Sequence, residues 1–427
     1  MHSFDLNIGE LSKIEGKASL TIKVENGEVK ECRFKIDEFK RFYTQAIRGK
    51  DILALPQLTS RICGTCSNAH LLCAIKAVED AQKIQPTPQT EALRKLLNFG
   101  LIIRDHALHL YIFVMPDLLG VDNILELDEN DPREHQILDD AFAIKAAGNN
   151  LSKVIGGRSV HAPFPMVGGF SKIPDEKSFT ELIKELENIR SAVLRLIKIF
   201  QDDGSILERN TDFVALIDEE YSFLKGCIIK NDDVTIACQN YGAYLDKIVL
   251  PYSHAIGYKF MGRIHMIGAL ARLNLAKEKL NRRTKEEIKE VLKRFPSKNI
   301  FYNNLAQAIE ILHAIDSSIE ILSQLSIKEE KLVPIVRKEG IGVGVIEAPR
   351  GTLYYKLAIN KEGKVINGDI VVPTGQNQIG IERSIYEYVK ANVDKKREEL
   401  INEIEKIIRA YDPCMSCASH FLRVKWL

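Results

Sequence analysis

Two short stretches decide how this chain must fold: Arg61-Ile-Cys63-Gly-Thr-Cys66-Ser-Asn-Ala-His70 and Asp412-Pro-Cys414-Met-Ser-Cys417-Ala-Ser-His420. They lie near opposite ends of a 427-residue chain and hold four of its eight cysteines. If they meet in the folded protein, four thiolates surround one point. The rest of the chain must then bring residue 63 to residue 417.

Paired cysteines in a large chain without a secretion signal indicate metal or redox chemistry rather than a disulfide framework. A structural zinc site with four cysteine ligands is one interpretation, although such a site usually lies in a small knuckle. Thiolates also bind nickel and iron. The residues alone therefore predict a four-thiolate metal site and leave the metal open. The remaining cysteines are predicted to be small buried hydrophobic residues: Cys32, Cys73, Cys227 and Cys238.

The amino-acid composition is that of a globular protein and argues against a nucleic-acid-binding or membrane protein. The net charge is +1, with 45% hydrophobic and 27% charged residues, as in ordinary globular proteins. This charge gives no electrostatic basis for binding nucleic acid or an anionic membrane. No uninterrupted apolar run of 18 residues occurs, and neither a secretory nor a twin-arginine signal is present. We therefore expect a cytoplasmic protein that binds no nucleic acid and does not insert into a membrane.

Hydrophobic periodicity predicts an α+β fold that is mainly α. Two alternating runs flank Asn26-Gly27, which indicates a β-hairpin. Helical spacing predicts helices at about 66–84, 90–115, 130–156, 175–203, 260–294, 301–326 and 379–410. We expect a single unit with these parts: a β-rich segment 1–60, a helical core 61–335, a second β-rich segment 336–375, a C-terminal helix with the second metal motif 376–420, and a tail 421–427.

The two cysteine motifs, in this order and at the two ends, resemble those of the large subunit of nickel–iron hydrogenases. The resemblance extends over the whole chain through Ile14-Glu15-Gly16, Glu347-Ala-Pro349-Arg350-Gly351, and Pro373-Thr374 with Asn377. It is nearer to the alpha subunit of cytoplasmic sulfhydrogenases, which are bidirectional and linked to NAD(P). That likeness rests on His106-Ala-Leu-His109-Leu-Tyr and on Asn303-Asn304-Leu-Ala-Gln-Ala-Ile-Glu.

The resemblance implies an oxidoreductase that cleaves H2 reversibly into protons and electrons at a nickel–iron site. Cys63 and Cys414 would be terminal nickel ligands. Cys66 and Cys417 would bridge nickel to an iron that carries CO and two cyanide ligands. Four thiolates suit such soft metals and place basic sulfur atoms beside the reacting H2.

The resemblance also assigns roles to residues around the metals. Pro349 and Thr374 would surround the diatomic ligands, because cyanide requires hydrogen-bond donors and CO requires an apolar wall. His70 would donate a hydrogen bond to the sulfur of a bridging cysteine. Three further histidines are predicted to be core residues with satisfied nitrogens: His106, His109 and His161.

Heterolytic cleavage of H2 requires a nearby proton acceptor, which could be a terminal thiolate, a carboxylate or the guanidine of Arg350. We expect Glu15 to carry the proton away, because burial beside metals can tune a carboxylate into the working range. Arg350 would lie over the metals. A buried guanidinium requires counter-charges, for which Asp412 and Asp105 are the candidates.

One position departs from the family pattern. A Glu that usually follows an Arg-Phe pair, and that helps to bind a magnesium or iron ion near the C-terminus, is replaced by Thr44. His420 would be the other side-chain contact of this ion. Without the acid the ion is absent, weaker or held by other groups and waters. The resemblance also implies that a maturation protease removes the peptide after His420. Either this sequence is the precursor or the protein keeps its tail.

Electrons must leave through another protein, because the chain offers no iron–sulfur ligands beyond the four cysteines. The resemblance implies a hetero-oligomer with an iron–sulfur small subunit and with further iron–sulfur and flavin subunits that reach NAD(P). This chain lacks a dinucleotide-binding motif, since Gly340-Ile-Gly342-Val-Gly344 does not open a helix. Alternatives are a deazaflavin-reducing, heterodisulfide-linked or sensory hydrogenase, or a non-catalytic subunit whose four cysteines hold zinc or serve structure only.

Overall fold

The computed structural model describes residues 3–40, 42–221, 223–231 and 234–419. Its strands are β1 (Phe4–Ile8), β2 (Ala18–Glu25), β3 (Glu28–Ile36), β4 (Pro165–Met166), β5 (Gly169–Phe170), β6 (Asp212–Ile217), β7 (Cys227–Lys230), β8 (Val234–Ile236), β9 (Leu245–Val249), β10 (Ile256–Phe260), β11 (His265–Met266), β12 (Gly340–Ala348), β13 (Gly351–Ile359) and β14 (Val365–Val371). They form sheets in the orders β1-β2-β3, β4-β5, β10-β9, β11-β6-β7-β8 and β12-β13-β14.

The helices account for most of the regular structure, so the predicted α+β, mainly α architecture is confirmed. They are α1 (Tyr43–Ala46), α2 (Leu55–Thr59), α3 (Ser67–Gln82), α4 (Pro88–Leu108), α5 (Met115–Leu119), α6 (Pro132–Gly156), α7 (Phe179–Asp202), α8 (Ala269–Ala276), α9 (Arg282–Glu287), α10 (Lys289–Leu292), α11 (Tyr302–Gln324), α12 (Pro373–Ala391), α13 (Arg397–Ala410) and α14 (Met415–Ala418). In the part of the chain that the structure describes, no helix is long and apolar enough to cross a membrane.

The predicted hairpin is confirmed. β2 and β3 are antiparallel and are joined by Asn26 and Gly27, whose φ angles are +53° and +80°. Asn and Gly both tolerate this left-handed conformation, so the two-residue turn matches the twist of the strands.

Helices α4, α6 and α11 form the centre of the molecule. α4 is buried over most of its surface, as its apolar sequence predicts, and continues through a π-helical segment, His109–Val114, into α5. α4 and α6 approach closely at two glycines. A Cβ on Gly100 would lie 2.5 Å from the Ser152 hydroxyl, and one on Gly148 would lie 2.7 Å from the Arg104 backbone nitrogen. This packing fixes the part of α4 that carries Arg104 and Asp105.

Two predicted helices are wrong as continuous elements. Residues 260–294 hold β11, α8, a 3-10 turn (Lys277–Lys279), α9 and α10. The predicted helix 379–410 is two helices, with a break at 392–396, where the polar sequence Asn-Val-Asp-Lys-Lys supplies no apolar face. The first of them starts at Pro373, a residue that the first helical turn tolerates.

The three glycines of β12 have a packing explanation. A Cβ on Gly340, Gly342 or Gly344 would lie within 2.7 Å of a carbonyl oxygen of α3; for Gly342 the distance to the Ala77 oxygen would be 2.0 Å. The strand therefore lies directly against the helix that follows Cys66. The Gly-x-Gly-x-Gly pattern indicates a close approach of two backbones, which agrees with the absence of a dinucleotide motif.

Replacing Gly342 with alanine is expected to lower the free energy of unfolding by roughly 1–3 kcal/mol, because the strand must move away from α3. Denaturant unfolding measures the change. Gly204→Ala is the matched control, since nothing lies within 4 Å of a Cβ at that exposed position. Equal stability of the two variants would contradict the close approach.

The two ends of the chain meet at one point. Glu15 and Cys414 form an isolated parallel bridge, and the Met415 N–H donates to the Glu15 carbonyl over 2.9 Å. The larger of two hydrophobic clusters among the described residues extends from Leu6 to Ala418. The N-terminal segment thus packs against the C-terminal cysteine motif.

Candidate metal centre

The four motif cysteines converge as predicted. Their sulfur atoms all lie within 4.8 Å of one another. The Sγ–Sγ distances are 3.4 Å for Cys63 and Cys414, 3.1 Å for Cys66 and Cys417, and 3.0 Å for Cys414 and Cys417. None of the four residues is more than 4% exposed.

Local structure sets each cysteine in place. Cys63 follows a short 3-10 turn in extended conformation, and Cys66 caps the N-terminus of α3. Cys414 caps α14, the single turn that carries Cys417. The Thr374 hydroxyl, at the start of α12, accepts a hydrogen bond of 2.8 Å from the Cys414 N–H. The N-termini of α3 and α14 and the hydrogen bond to Thr374 therefore place the two cysteine pairs opposite each other.

Polar side chains contact the sulfur atoms. His70 Nε2 lies 3.5 Å from Cys417 Sγ, and its Nδ1 lies 2.8 Å from the Tyr355 hydroxyl. A tyrosine hydroxyl that donates to Nδ1 leaves Nε2–H for the sulfur. The Thr65 hydroxyl is 3.1 Å from Cys63 Sγ. His70, which was predicted to donate to the sulfur of a bridging cysteine, thus lies beside Cys417. Tyr355 was missed, because a buried tyrosine in a strand looks like any other core residue.

Glu15 lies against the other pair of sulfurs. Its Oε2 is 3.0 Å from Cys414 Sγ and accepts from the Ser416 N–H over 3.1 Å, and its Oε1 is 4.0 Å from Cys63 Sγ. Burial, and then the charge of Cys63, raise the pKa of Glu15 above its ordinary value. The carboxyl group can therefore hold a proton nearer to neutral pH than a free glutamate can.

Arg350 lies between two carboxylates. Its Nη1 donates to Asp105 Oδ2 over 2.7 Å, and its Nη2 lies 3.0 Å from Asp412 Oδ1. Burial alone would lower the pKa of Arg350, but both carboxylates outweigh it and raise that pKa. Burial raises the pKa of Asp105, whereas Arg350 holds that of Asp412 below its usual value. Gln307 donates to Asp412 over 2.8 Å, a contact that the sequence did not indicate.

The donor set fits a soft metal centre. Burial raises the pKa of the Cys414 and Cys417 thiols, whereas hydrogen bonds from Cys414 and Cys417 lower that of Cys63. Four buried thiolates would repel one another, so their deprotonation requires cations at their centre. A small cavity adjoins the cluster and provides room for more than the sulfur atoms. Its lining comprises Cys66, His70, Ala348, Arg350, Leu353, Pro373, Thr374, Cys414 and Cys417.

This lining combines an apolar wall with a guanidinium, which a four-cysteine zinc site does not require. The Arg350 Nε is buried and has no hydrogen-bond partner among the described residues. Thr374, which was predicted to surround the diatomic ligands, is part of this lining. Pro349 lies in the turn before Arg350, and the proline in the lining is Pro373.

Other predicted residues are accounted for as follows. His106 and His109 are buried and hydrogen-bonded, to Glu310 over 2.8 Å and to Gln307 over 2.6 Å. His161 is only half-buried, so its prediction as a core histidine is wrong. The prediction for His420 lies outside the described residues, as does the tail after it.

The four scattered cysteines differ in burial. Cys73 is fully buried beside β12, where its thiol is 3.4 Å from the Gly344 carbonyl oxygen. Cys32 and Cys238 are half-buried. Cys227 is exposed, which corrects its prediction as a buried hydrophobe. It is the first residue of β7, the strand that lies between β6 and β8.

Comparison with known proteins agrees with this geometry. The family described as nickel-dependent hydrogenase matches residues 41–140 and 230–420. The chain belongs to the nickel-dependent hydrogenase family. It is 32% identical over 424 residues to the sulfhydrogenase 2 alpha subunit of Pyrococcus furiosus, covering 98% of this chain and all of the relative. It is 27% identical to the beta subunit of the NAD-reducing hydrogenase HoxS of Cupriavidus necator, with 98% and 94% coverage.

The fold of this hydrogenase subunit is also that of a solved relative. An NAD+-reducing [NiFe]-hydrogenase in the H2-reduced state superposes with a TM-score of 0.90 at 23% identity, over 98% of this chain and 99% of that one. The chain is thus a nickel–iron hydrogenase large subunit, an oxidoreductase that acts on H2 at a centre containing nickel and iron. Large subunits of this kind act in multi-subunit enzymes, so a small subunit is its partner.

Proposed function

We propose that Cys63 and Cys414 are terminal ligands of nickel and that Cys66 and Cys417 bridge nickel and iron. The observation that carries this division is the different surroundings of the two pairs. Glu15 contacts Cys63 and Cys414, whereas His70 contacts Cys417. Cys66 and Cys417 both line the cavity together with Cys414, and Cys63 is not part of its lining. Both proposed bridging cysteines border the cavity, so the iron and its small ligands would be held on that side.

Metals held by the four cysteines would supply the heterolytic cleavage of H2, in both directions. Glu15 moves the proton, because its carboxylate lies 3.0 Å from the Cys414 sulfur and its pKa is raised by burial. Arg350 stays cationic between Asp105 and Asp412, and its charge stabilises anionic ligands in the cavity. Asp412 thereby orients Arg350.

One part of the cavity wall is apolar and another part is polar. Ala348, Leu353 and Pro373 provide the apolar surface that suits CO, whereas Arg350 and Thr374 provide polar groups suited to two cyanide ligands. Pro349 fixes the turn that presents Arg350. His70 donates to Cys417, which lowers the electron density on a bridging sulfur.

Electrons pass to an iron–sulfur small subunit and from there, through iron–sulfur and flavin subunits, to NAD(P) or another soluble acceptor. The relatives named above support this route by their printed activities. A magnesium or iron ion near His420, and cleavage of the tail by a maturation protease, stay predictions of the sequence.

Metal content and infrared spectroscopy of the purified complex test this function. We expect nickel, iron in excess of nickel because the iron–sulfur partners add their own, and bands of metal-bound CO and cyanide. Zinc without nickel would favour the four-cysteine structural subunit. Nickel without those bands would contradict the proposed iron ligands.

A further inference from the structure

A buried arginine outside the metal centre contacts the turn that carries Arg350. Arg272, in α8, is 1% exposed. All five of its N–H groups are used. Nε and Nη2 donate to the two oxygens of Glu310 over 2.6 and 2.7 Å, and Nη1 donates to Glu347 over 2.7 Å. The two remaining N–H groups donate to backbone carbonyls.

Those carbonyls belong to Ala348 and Pro349, at 3.2 and 2.9 Å from Nη1 and Nη2. They are the two peptide groups immediately before Arg350. Ala348 pairs with Gly351 across β12 and β13, so Pro349 and Arg350 are the whole of a two-residue turn. Fixing both carbonyls fixes the orientation of this turn, and with it the point from which the Arg350 side chain starts.

The two acids that hold Arg272 are themselves fixed. Glu310 also accepts from Tyr221 over 2.6 Å and contacts His106 Nε2 at 2.8 Å. Glu347 also accepts from the Leu216 N–H and the Thr352 hydroxyl, over 2.7 and 2.6 Å. Both acids are fully buried. Arg272 therefore cannot change its position without breaking contacts to α11, to β12 and to the turn that carries Arg350.

α8 itself lies directly under the turn. A Cβ on Gly268, the cap of α8, would lie 3.4 Å from the Arg350 carbonyl oxygen. A Cβ on Gly351 would lie 2.7 Å from Ile267 and 3.0 Å from the Gly268 nitrogen. The turn thus has backbone contact on one side and the Arg272 guanidinium on the other.

We propose that Arg272 is a positioning residue. By binding the carbonyls of Ala348 and Pro349, it fixes how far the Arg350 side chain extends into the metal cavity. This inference rests on the proposed role of Arg350 beside the metal ligands. Lysine cannot replace Arg272, because an ammonium has three donors and lacks the planar fork that spans Glu310 and both carbonyls.

The test compares Arg272→Lys with Arg190→Lys in the purified complex. Arg190 is the matched control, a buried arginine that binds Asp316 through two nitrogens, at 2.7 and 3.2 Å, and contacts no residue of the turn. Both variants are expected to lose thermal stability and to keep their nickel and iron. Only Arg272→Lys should shift the infrared bands of cyanide, toward their positions in Arg350→Lys, and lower kcat by about 10- to 100-fold.

The double variant Arg272→Lys/Arg350→Lys separates positioning from general damage. If Arg272 acts through Arg350, the double variant loses no more activity than Arg350→Lys alone. Wild-type cyanide bands in Arg272→Lys, or losses that multiply in the double variant, would overturn the inference. Should Arg272→Lys fail to accumulate, Glu310→Gln takes its place with the same expectations. Absence of nickel or of the bands in the wild-type complex would instead refute the proposed function.

Discussion

Cys417→Ser is expected to abolish H2 uptake and to lower the nickel and iron content of the purified complex. The Cys417 sulfur lies 3.0 Å from Cys414 Sγ and 3.1 Å from Cys66 Sγ, so it belongs to both halves of the cluster. A serine hydroxyl stays protonated near neutral pH and is a poor ligand for soft metals. The variant therefore loses the sulfur that would bridge the proposed nickel and iron positions and that His70 contacts.

The matched control is Cys227→Ser. Cys227 is a free cysteine on the exposed face of β7 and lies outside the cluster. This variant should keep its metals and nearly all of its H2 uptake. Hydrogen-dependent dye reduction and elemental analysis measure both properties. Full activity with normal metal content in Cys417→Ser would exclude a bridging role for that cysteine.

The sequence was sufficient to predict the cysteine cluster because each of the two cysteine pairs is recognisable from a short stretch of sequence. Each cysteine pair has a fixed spacing, and one pair follows Asp412-Pro413. The structure adds the reason why they meet: the backbone of Glu15 bridges to Cys414, and the Thr374 hydroxyl binds the Cys414 N–H. Both contacts join residues far apart in the sequence, by 399 positions for Glu15 and Cys414 and by 40 for Thr374 and Cys414, so hydrophobic periodicity does not predict them.

The charged groups around Arg350 were predicted in part. Asp412 and Asp105 were candidates because a buried guanidinium requires acids. Gln307 and Arg272 were missed, since each lies in a helix whose apolar spacing is satisfied without it. α8 was absorbed into a longer predicted helix, which hid the fact that Gly268 and Arg272 begin a separate element beneath the Arg350 turn.

Helix ends were predicted less well than helix existence. The helix after Cys66 was predicted to end at about residue 84, and α3 ends at Gln82, where Lys83 adopts a left-handed conformation. Pro88 begins α4, with the Thr87 hydroxyl accepting from the Thr90 N–H over 3.1 Å. Proline is favourable in the first turn, so the same residue marks a start as well as a stop.

Glu15→Gln is expected to lower H2 uptake by about 10²- to 10⁴-fold, the usual contribution of a positioned proton-transfer group. The amide has nearly the shape of the carboxyl group but cannot accept and release a proton near neutral pH. Its oxygen can still accept from the Ser416 N–H, and the backbone bridge from Glu15 to Cys414 is untouched. The chain ends therefore stay together, and nickel, iron and the infrared bands should all be retained.

Retention of nickel, iron and the infrared bands in Glu15→Gln distinguishes a proton-transfer role of Glu15 from a structural one. Glu10→Gln is the control, because Glu10 is exposed and lies in the same short segment of the chain as Glu15. It should leave both activity and metal content unchanged. If Glu15→Gln loses its metals along with its activity, Glu15 holds the chain ends together and the proton has another acceptor. If the variant keeps full uptake, a thiolate or Arg350 accepts the proton in place of Glu15. If uptake is lost while the metals stay in place, the proton must pass through the Glu15 carboxylate, which lies 3.0 Å from the Cys414 sulfur.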